Sequence, residues 1–216
     1  MPARRGRARS TRSPAFPPNL RRSDAGLSEW TGGSRNRIDV RPREIIQTNR
    51  LWLRRAVIDD AEEIFDIYGR NLEVTKYLSW KPTGNLEDTR AHLRASALAW
   101  EEGRAFQWVI LRKKDRQLLG AIGVRIDGHK VELGYVLAKK FWRNGYMTEA
   151  VRAVVDWALN NKDVYRVWAV CDVENPASAR VMEKAGMKFE GILRRWSVHP
   201  TLSDEPRDCR CYAITK

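Results

Sequence analysis

The chain has 216 residues, of which 43% are hydrophobic, and a formal net charge of +13. This length suits one α/β domain with a tail and is sufficient to bury a core. No apolar run reaches the roughly 18 residues of a transmembrane helix, and no apolar segment follows the basic start as in a secretory signal. Three cysteines are too few for a disulfide framework. We therefore expect a cytoplasmic protein with no membrane partner.

The first 45 residues form a basic segment rich in arginine, serine, proline and glycine. Residues 1–43 hold eleven arginines, no lysine and three acidic residues, so more than half of the net charge lies there. Such a segment buries too little apolar surface to offset its ordering entropy. We predict a disordered tail over 1–45 and a folded domain over 46–216. The tail is an inert extension, an arm that contacts RNA or the ribosome, or a transit peptide, because residues 1–23 contain no acid.

From residue 50 onward, apolar periodicity alternates between strand and helix patterns. In chain order, we predict a strand at 50–55, helices at 59–68, 74–80 and 86–102, strands at 105–111, 117–126 and 131–137, a helix at 150–161, a strand at 165–173, a helix at 177–184, and strands at 187–198 and 207–215. This order predicts a mixed α/β domain, with a sheet of about six or seven strands and about four or five flanking helices.

The turn from Trp142 to Glu149 is the most informative feature of the sequence. It is basic, contains Gly145, and joins a strand to an apolar-periodic helix, so that backbone N–H groups and the positive helix end face the same point. Such a turn can bind a diphosphate. A second strand-to-helix turn, at 175–178, is expected at the same sheet edge. With Glu132 on the strand before the first turn, these residues suggest group transfer from a nucleotide-bearing donor.

The ordered set of motifs resembles the GNAT acetyltransferases, and within them the RimJ/RimL-like branch of ribosomal-protein N-terminal acetyltransferases. The resemblance spans about residues 48–216. It rests on ELGYVL at 132–137, FWRNGYMTEA at 141–150 and VENPASARVMEKAGM at 173–187, and TNRLWLR at 48–54 is similar to the opening strand of that branch. It implies the acyl-CoA N-acyltransferase fold, whose mixed central sheet is mostly antiparallel.

The resemblance also implies the ligands and where they bind. The co-substrate would be acetyl-CoA, the acceptor a primary amine, and no metal would take part. Family members bind the pyrophosphate on the turn that here comprises Arg143, Asn144, Gly145, Tyr146, Met147 and Thr148. The pantetheine arm would pair with the backbone of Val136, Leu137 and Ala138, and would meet Asn175 and Ser178.

For catalysis, the resemblance implies Glu132 as the base, acting directly or through water, and Ser178 as the group that hydrogen-bonds or protonates the leaving sulfur. A backbone N–H near Val136 would stabilise the oxyanion. Many family members place a tyrosine for the leaving group where this chain has Met182, which cannot donate a proton. The simpler alternatives are that Glu132 is a solvated strand residue and that Ser178 is only a polar residue of the first turn of a helix, near an N-cap at Asn175.

The acceptor is the least constrained part of the prediction. Tyr77, Trp80 and Arg90 are expected to contact it. The resemblance favours a protein N-terminal α-amino group, and the alternative is a small amine such as a polyamine, an aminoglycoside or an amino-acid-like molecule. A polycationic acceptor would need a local acidic patch, for which the candidates are Glu62, Glu63, Glu73, Glu87, Asp88, Glu101 and Glu102.

A different kind of function and the oligomeric state also have to be considered. The rival function from another class is a non-catalytic module that senses acetyl-CoA or associates with RNA or the ribosome. The chain is expected to be a monomer or a homodimer.

Cys209 and Cys211 project to one face of the last strand and are expected to be core thiols. His92, His129 and His199 lack the spacing of metal ligands.

Overall fold

In the computed structural model, which describes residues 40–216, eight strands form one sheet in the order β1-β2-β3-β4-β5-β6-β8-β7. The strands are β1 (Ile45–Gln47), β2 (Leu51–Arg55), β3 (Ala105–Arg112), β4 (Leu118–Asp127), β5 (Lys130–Leu137), β6 (Arg166–Asp172), β7 (Lys188–Val198) and β8 (Pro206–Thr215). Only β5 and β6 are parallel among these neighbours, and the other pairs are antiparallel. The predicted mixed, mostly antiparallel sheet is confirmed, with one strand more than predicted.

Residues 40–216 also form five α-helices. They are α1 (Ala61–Ile64), α2 (Leu72–Thr75), α3 (Leu86–Glu101), α4 (Tyr146–Asn160) and α5 (Pro176–Lys184). Helices α1 and α3 contact each other and the strands β3 and β4, whereas α4 and α5 contact each other and β6. No helix within residues 40–216 has the length and apolar character needed to cross a bilayer.

The first two helical segments differ from their predicted form. The helix predicted over 59–68 begins as a 3₁₀ turn at Ile58–Asp60 and ends as a π turn at Phe65–Gly69, with α1 between them. The helix predicted over 74–80 is the shorter α2. It begins earlier because the side chain of Asn71 accepts hydrogen bonds from the N–H groups of Glu73 and Val74.

The folded part of the chain begins earlier than predicted. Strand β1 pairs with β2 in the register Ile46↔Leu53. Val40 is only 3% exposed, and the indole N–H of Trp108 donates to the Arg43 carbonyl over 3.2 Å. Residues 40–45, which the sequence analysis includes in the tail, thus contain a residue of the core, because Val40 is buried there without any periodic pattern around it. The rest of that predicted tail, residues 1–39, lies outside the described residues.

Strands β5 and β6 separate soon after they begin, and this gap positions the site. They pair only at Lys130↔Arg166, Val131↔Val167 and Glu132↔Trp168. On its other side, β5 stays paired with β4 as far as Gly120↔Leu137. The edge of β5 from Leu133 to Leu137 thus has no β6 partner and borders an opening between the two strands.

Candidate active site

A cleft of about 2850 Å³ opens where β5 and β6 separate. Its walls include the strands β5, β6 and β7, the segment after α2, and the N-terminal ends of α4 and α5. Eleven of the residues predicted to bind acetyl-CoA or the acceptor or to act in catalysis line it: Tyr77, Trp80, Glu132, Val136, Leu137, Arg143, Gly145, Met147, Thr148, Asn175 and Ser178. The fold therefore brings together residues that are up to about one hundred positions apart in the chain.

The turn before α4 leaves its backbone amides available to a ligand. Gly145 is the N-cap residue with φ +74°, and no side chain caps the helix. Arg143, two residues earlier, is also left-handed, with φ +63°. The first helical bond runs from the N–H of Glu149 to the carbonyl of Gly145 over 3.1 Å. Left-handed residues in a turn orient successive N–H groups towards one point, and the helix N-terminus adds positive potential there.

Contacts from the segment between β1 and β2 hold this turn in place. The Glu149 carboxylate accepts hydrogen bonds from the hydroxyl of Thr48 (2.6 Å) and from the backbone N–H of Arg50 (2.8 Å), and it pairs with the Arg50 guanidinium (2.6 Å). Burial alone would raise the pKa of Glu149, but these bonds and the charge of Arg50 outweigh it and lower that pKa. Arg50 also donates to the carbonyl of Asn144 over 3.0 Å. No local sequence pattern indicates these contacts.

Three of the residues predicted to contact acetyl-CoA do not line the cleft. Asn144 donates through its side-chain amide to the Trp142 carbonyl over 2.9 Å. The guanidinium carbon of Arg50 lies over the ring of Tyr146, 4.6 Å from the ring centre. Ala138 is 1% exposed, and its N–H donates to the Leu119 carbonyl. The side chains of these residues are engaged in packing and turn geometry.

Arg90 also lies outside the set of residues that line the cleft. It is on α3 and forms an ion pair with Glu87, one turn away, at 3.8 Å. Its neighbours Asp88, Thr89, Ala91 and His92 line the cleft instead. The helical spacing places the Arg90 side chain on a different part of the α3 surface from these residues.

Glu132 is half-buried at the last point where β5 and β6 are still paired. Its carboxylate is 3.5 Å from the guanidinium of Arg125, its partner on β4. On the other side its partner is Trp168. Beyond this pair the gap opens, so Glu132 stands at the mouth of the opening between the strands.

Ser178 lies across the gap, in the first turn of α5. Its N–H donates to the side-chain oxygen of Asn175 over 3.1 Å, which makes Asn175 the N-cap of the helix. Its hydroxyl is 2.8 Å from the phenol oxygen of Tyr135, and this phenol also donates to the Ser178 carbonyl over 3.1 Å. Burial raises the pKa of Tyr135, so the phenol stays protonated at neutral pH.

Tyr135 is a site residue that the sequence analysis missed. It is three positions after Glu132 on one strand, and therefore projects from the opposite face of the sheet. Both residues nevertheless line the cleft that opens where β5 and β6 separate. Tyr135 is part of the ELGYVL motif, but its place in the site follows only from the separation of β5 and β6.

A buried carboxylate fixes the loop between β6 and α5. Asp172 is fully buried and accepts hydrogen bonds from the Arg207 guanidinium (2.6 Å) and from the Glu174 N–H (2.8 Å). Burial alone would raise the pKa of Asp172, but these bonds and the charge of Arg207 hold it below its ordinary value. The Asp172 carbonyl in turn accepts from the N–H of Asn175 over 2.9 Å. The start of α5, and with it Ser178, is thus held in place.

The cysteines contribute packing and no reactive thiolate. Cys171, Cys209 and Cys211 are buried and free. Burial raises the pKa of Cys171 to about 11 and that of Cys209 to about 12, so both remain thiols at neutral pH. Within residues 40–216, no group of three or more histidine, cysteine or acidic side chains could hold a metal ion.

Comparison with known proteins adds a family match and relatives. Residues 50–188 match the model of the acetyltransferase (GNAT) domain. The uncharacterised N-acetyltransferase YoaA of Bacillus subtilis (strain 168) is 32% identical over 175 residues, which cover 80% of this chain and 97% of that protein. The ribosomal-protein-serine acetyltransferase of Escherichia coli (strain K12) is 28% identical over 59% of this chain and 70% of its own length. The crystal structure of a GNAT-family acetyltransferase from Bacillus anthracis superposes with a TM-score of 0.69 at 28% identity, over 79% of this chain and 98% of that one.

Proposed function

The chain belongs to the GNAT acetyltransferase family and is an acetyl-CoA-dependent N-acetyltransferase, and from this premise we propose that its acceptor is a protein N-terminal α-amino group. The observation that carries the proposal is the gap between β5 and β6, which has Glu132 at its mouth and Ser178 on its far side. The ribosomal-protein-serine acetyltransferase of Escherichia coli, at 28% identity, supports a protein acceptor.

We place the donor along the edge of β5. The pyrophosphate would bind the amides of the turn before α4, with Arg143 adding charge. The amide groups of the pantetheine arm would pair with the free edge of β5 between Leu133 and Leu137, as an additional strand does. Arg180 and Lys184 of α5 line the same cleft and add positive charge on the donor side. Bound in this way, acetyl-CoA supplies a thioester carbon that an amine can attack.

Replacing Arg143 with glutamine is expected to weaken acetyl-CoA binding about tenfold, because a charge-assisted contact to the pyrophosphate becomes a neutral one. Isothermal titration calorimetry with acetyl-CoA measures the dissociation constant. Lys140→Gln is the matched control, because Lys140 is a nearby exposed base that does not line the cleft. Equal affinity for the Arg143 variant and the parent would contradict this placement of the pyrophosphate.

Three groups of the chain would carry the chemistry. Glu132 accepts the proton of the incoming ammonium, directly or through one water, so that the amine becomes a nucleophile. A backbone N–H near Val136 donates to the carbonyl oxygen as negative charge develops on it. The Ser178 hydroxyl donates a hydrogen bond to the departing sulfur, which leaves as a thiolate and takes a proton from solvent. Tyr135 positions that hydroxyl, because its phenol oxygen lies 2.8 Å from Ser178 Oγ.

The charges of the cleft support an acceptor with one positive charge over a polycation. Six carboxylates line the cleft, and five of them pair with a basic side chain: Glu73 with Lys139, Asp127 with Lys130, Glu132 with Arg125, Glu174 with Arg207, and Glu190 with Arg166. A polyamine or an aminoglycoside needs several uncompensated carboxylates. A peptide N-terminus needs only one proton acceptor.

The test of this function is acetyl transfer in a mixture of the full chain, acetyl-CoA and a peptide with a free α-amino group. We expect release of the CoA thiol to depend on the peptide. Binding of acetyl-CoA without transfer to any peptide or small amine would instead favour a non-catalytic sensor. Faster transfer to spermidine than to every peptide would contradict the proposed acceptor while leaving the acetyltransferase activity intact.

A further inference from the structure

Strand β7 carries a bulge that requires unusual backbone geometry. Leu193 pairs with Cys209 and Ser197 pairs with Arg207, so residues 194–196 lie opposite the single residue Asp208. Arg195, inside the bulge, has φ +48°, in the left-handed region that residues with a side chain rarely adopt. Such a conformation costs about 1 kcal/mol or more and persists only where its surroundings hold it.

Asp208 provides the contacts that hold this bulge. Its carboxylate accepts a hydrogen bond from the backbone N–H of Arg195 (2.9 Å) and pairs with the guanidinium of Arg194 (2.5 Å). These two hydrogen bonds and the charges of both arginines lower the pKa of Asp208, so the carboxylate stays ionised at neutral pH. These contacts therefore fix the conformation of the bulge. Bulges of this kind re-aim a side chain and are frequent beside active sites.

The last residue of this bulge is Trp196, whose side chain lines the cleft although it is 46% exposed. Its ring meets Trp168 edge to face, with the centroids 6.2 Å apart and the planes at 75°. Trp168 is the β6 partner of Glu132. The two indoles thus form an aromatic wall that begins directly beside the proposed proton acceptor and continues onto β7.

The charged groups around this wall compensate one another. Arg166 pairs with Glu190 over 2.8 Å, and Arg125 lies 3.5 Å from Glu132. Ile192, on the same strand as Trp196, is half exposed and also lines the cleft. An exposed apolar surface with paired charges is suited to an apolar group of a ligand and offers little to a second positive charge.

We propose that Trp168 and Trp196 form a subsite for the first side chain of the acceptor, which is a peptide N-terminus that carries a large apolar or aromatic first residue. The subsite rests on the proposed function, because it is defined relative to Glu132. Neighbouring strands are about 4.8 Å apart. A side chain attached one carbon away from an amine at Glu132 therefore has the right reach to lie against Trp168.

The test compares peptides that differ only in their first residue, phenylalanine or serine, in reactions with acetyl-CoA. We expect kcat/KM to be about tenfold higher for the phenylalanine peptide, and we expect Trp196→Ala to remove most of this preference by raising KM. Trp196→Phe, which keeps an aromatic ring, should retain it. Phe189→Ala is the matched control, because Phe189 is 52% exposed on the same strand but does not line the cleft.

Calorimetric titration of the CoA-loaded chain with both peptides measures the same preference without turnover. Equal affinities, or a preference that Trp196→Ala leaves intact, would overturn the aromatic subsite. A preference for phenylethylamine over the phenylalanine peptide would overturn the peptide as its occupant. The absence of acetyl transfer to every amine would contradict the proposed function, and the titration would still decide whether the aromatic wall selects the first side chain.

Discussion

Glu132→Gln is expected to lower kcat about a hundredfold to ten-thousandfold, which is the usual contribution of a positioned general base. Glutamine keeps the size of the side chain and its place between Arg125 and Trp168, but it cannot accept the ammonium proton. Acetyl-CoA binding should change by less than about twofold, because the donor contacts lie beyond this residue on β5. Steady-state kinetics give kcat, and calorimetry gives the dissociation constant of acetyl-CoA.

Glu190→Gln is the matched control for this substitution. Glu190 lines the same cleft and pairs with Arg166 just as Glu132 pairs with Arg125, but it lies on β7, away from the gap. We expect kcat for this variant to stay within about threefold of the parent, since surface ion pairs contribute little. Equal losses in the two variants would mean that the charge balance of the cleft matters and that Glu132 has no special part in proton transfer.

Ser178→Ala is expected to lower kcat about tenfold to a hundredfold, and Tyr135→Phe about fivefold to tenfold. The tyrosine acts through the serine hydroxyl, which lies 2.8 Å from its phenol oxygen. The double variant should therefore be no slower than Ser178→Ala alone. Non-additivity of this kind is the signature of two groups that work as one unit. The four proteins of the cycle are compared by kcat at saturating acetyl-CoA.

Tyr212→Phe is the control for the effect on stability of removing a buried tyrosine hydroxyl. The Tyr212 hydroxyl donates to Glu183 over 2.9 Å, and Tyr212 does not line the cleft. Its removal should lower thermal stability to a similar extent as Tyr135→Phe while leaving kcat unchanged. If the effects of Ser178→Ala and Tyr135→Phe multiplied instead, Tyr135 would support the fold or the substrate independently of the serine.

Local patterns predicted most of the fold because its elements carry strong signals. Alternation located the long strands, and the Asn175 cap located the start of α5 to within one residue. Helix α4 begins at Tyr146, four residues before its predicted start, because it follows Gly145 directly. Elements without a strong local signal were missed. Strand β1 has three residues, and its place depends on pairing with β2. The bulge opposite Asp208 follows from a pairing across β7 and β8 that no local pattern encodes.

The family resemblance was enough to name the main site residues, but only the fold shows which residues contact them. Glu132, Arg143 and Ser178 could be named from motifs, and all three line one cleft. Their supporting contacts could not be named, because the partners are far apart in sequence. The ion pair between Arg50 and Glu149 joins residues 99 positions apart, and the Tyr135 contact to Ser178 joins residues 43 positions apart. Only the folded structure brings these partners together.

Mass spectrometry of a peptide incubated with acetyl-CoA and the full chain tests the proposed function most directly. We expect one acetyl group on the peptide, located by fragmentation on the α-amino group of its first residue. The parent should form this product and Glu132→Gln should form almost none. An unmodified peptide despite bound acetyl-CoA, or acetyl groups found only on lysine side chains, would contradict the proposed N-terminal acetylation.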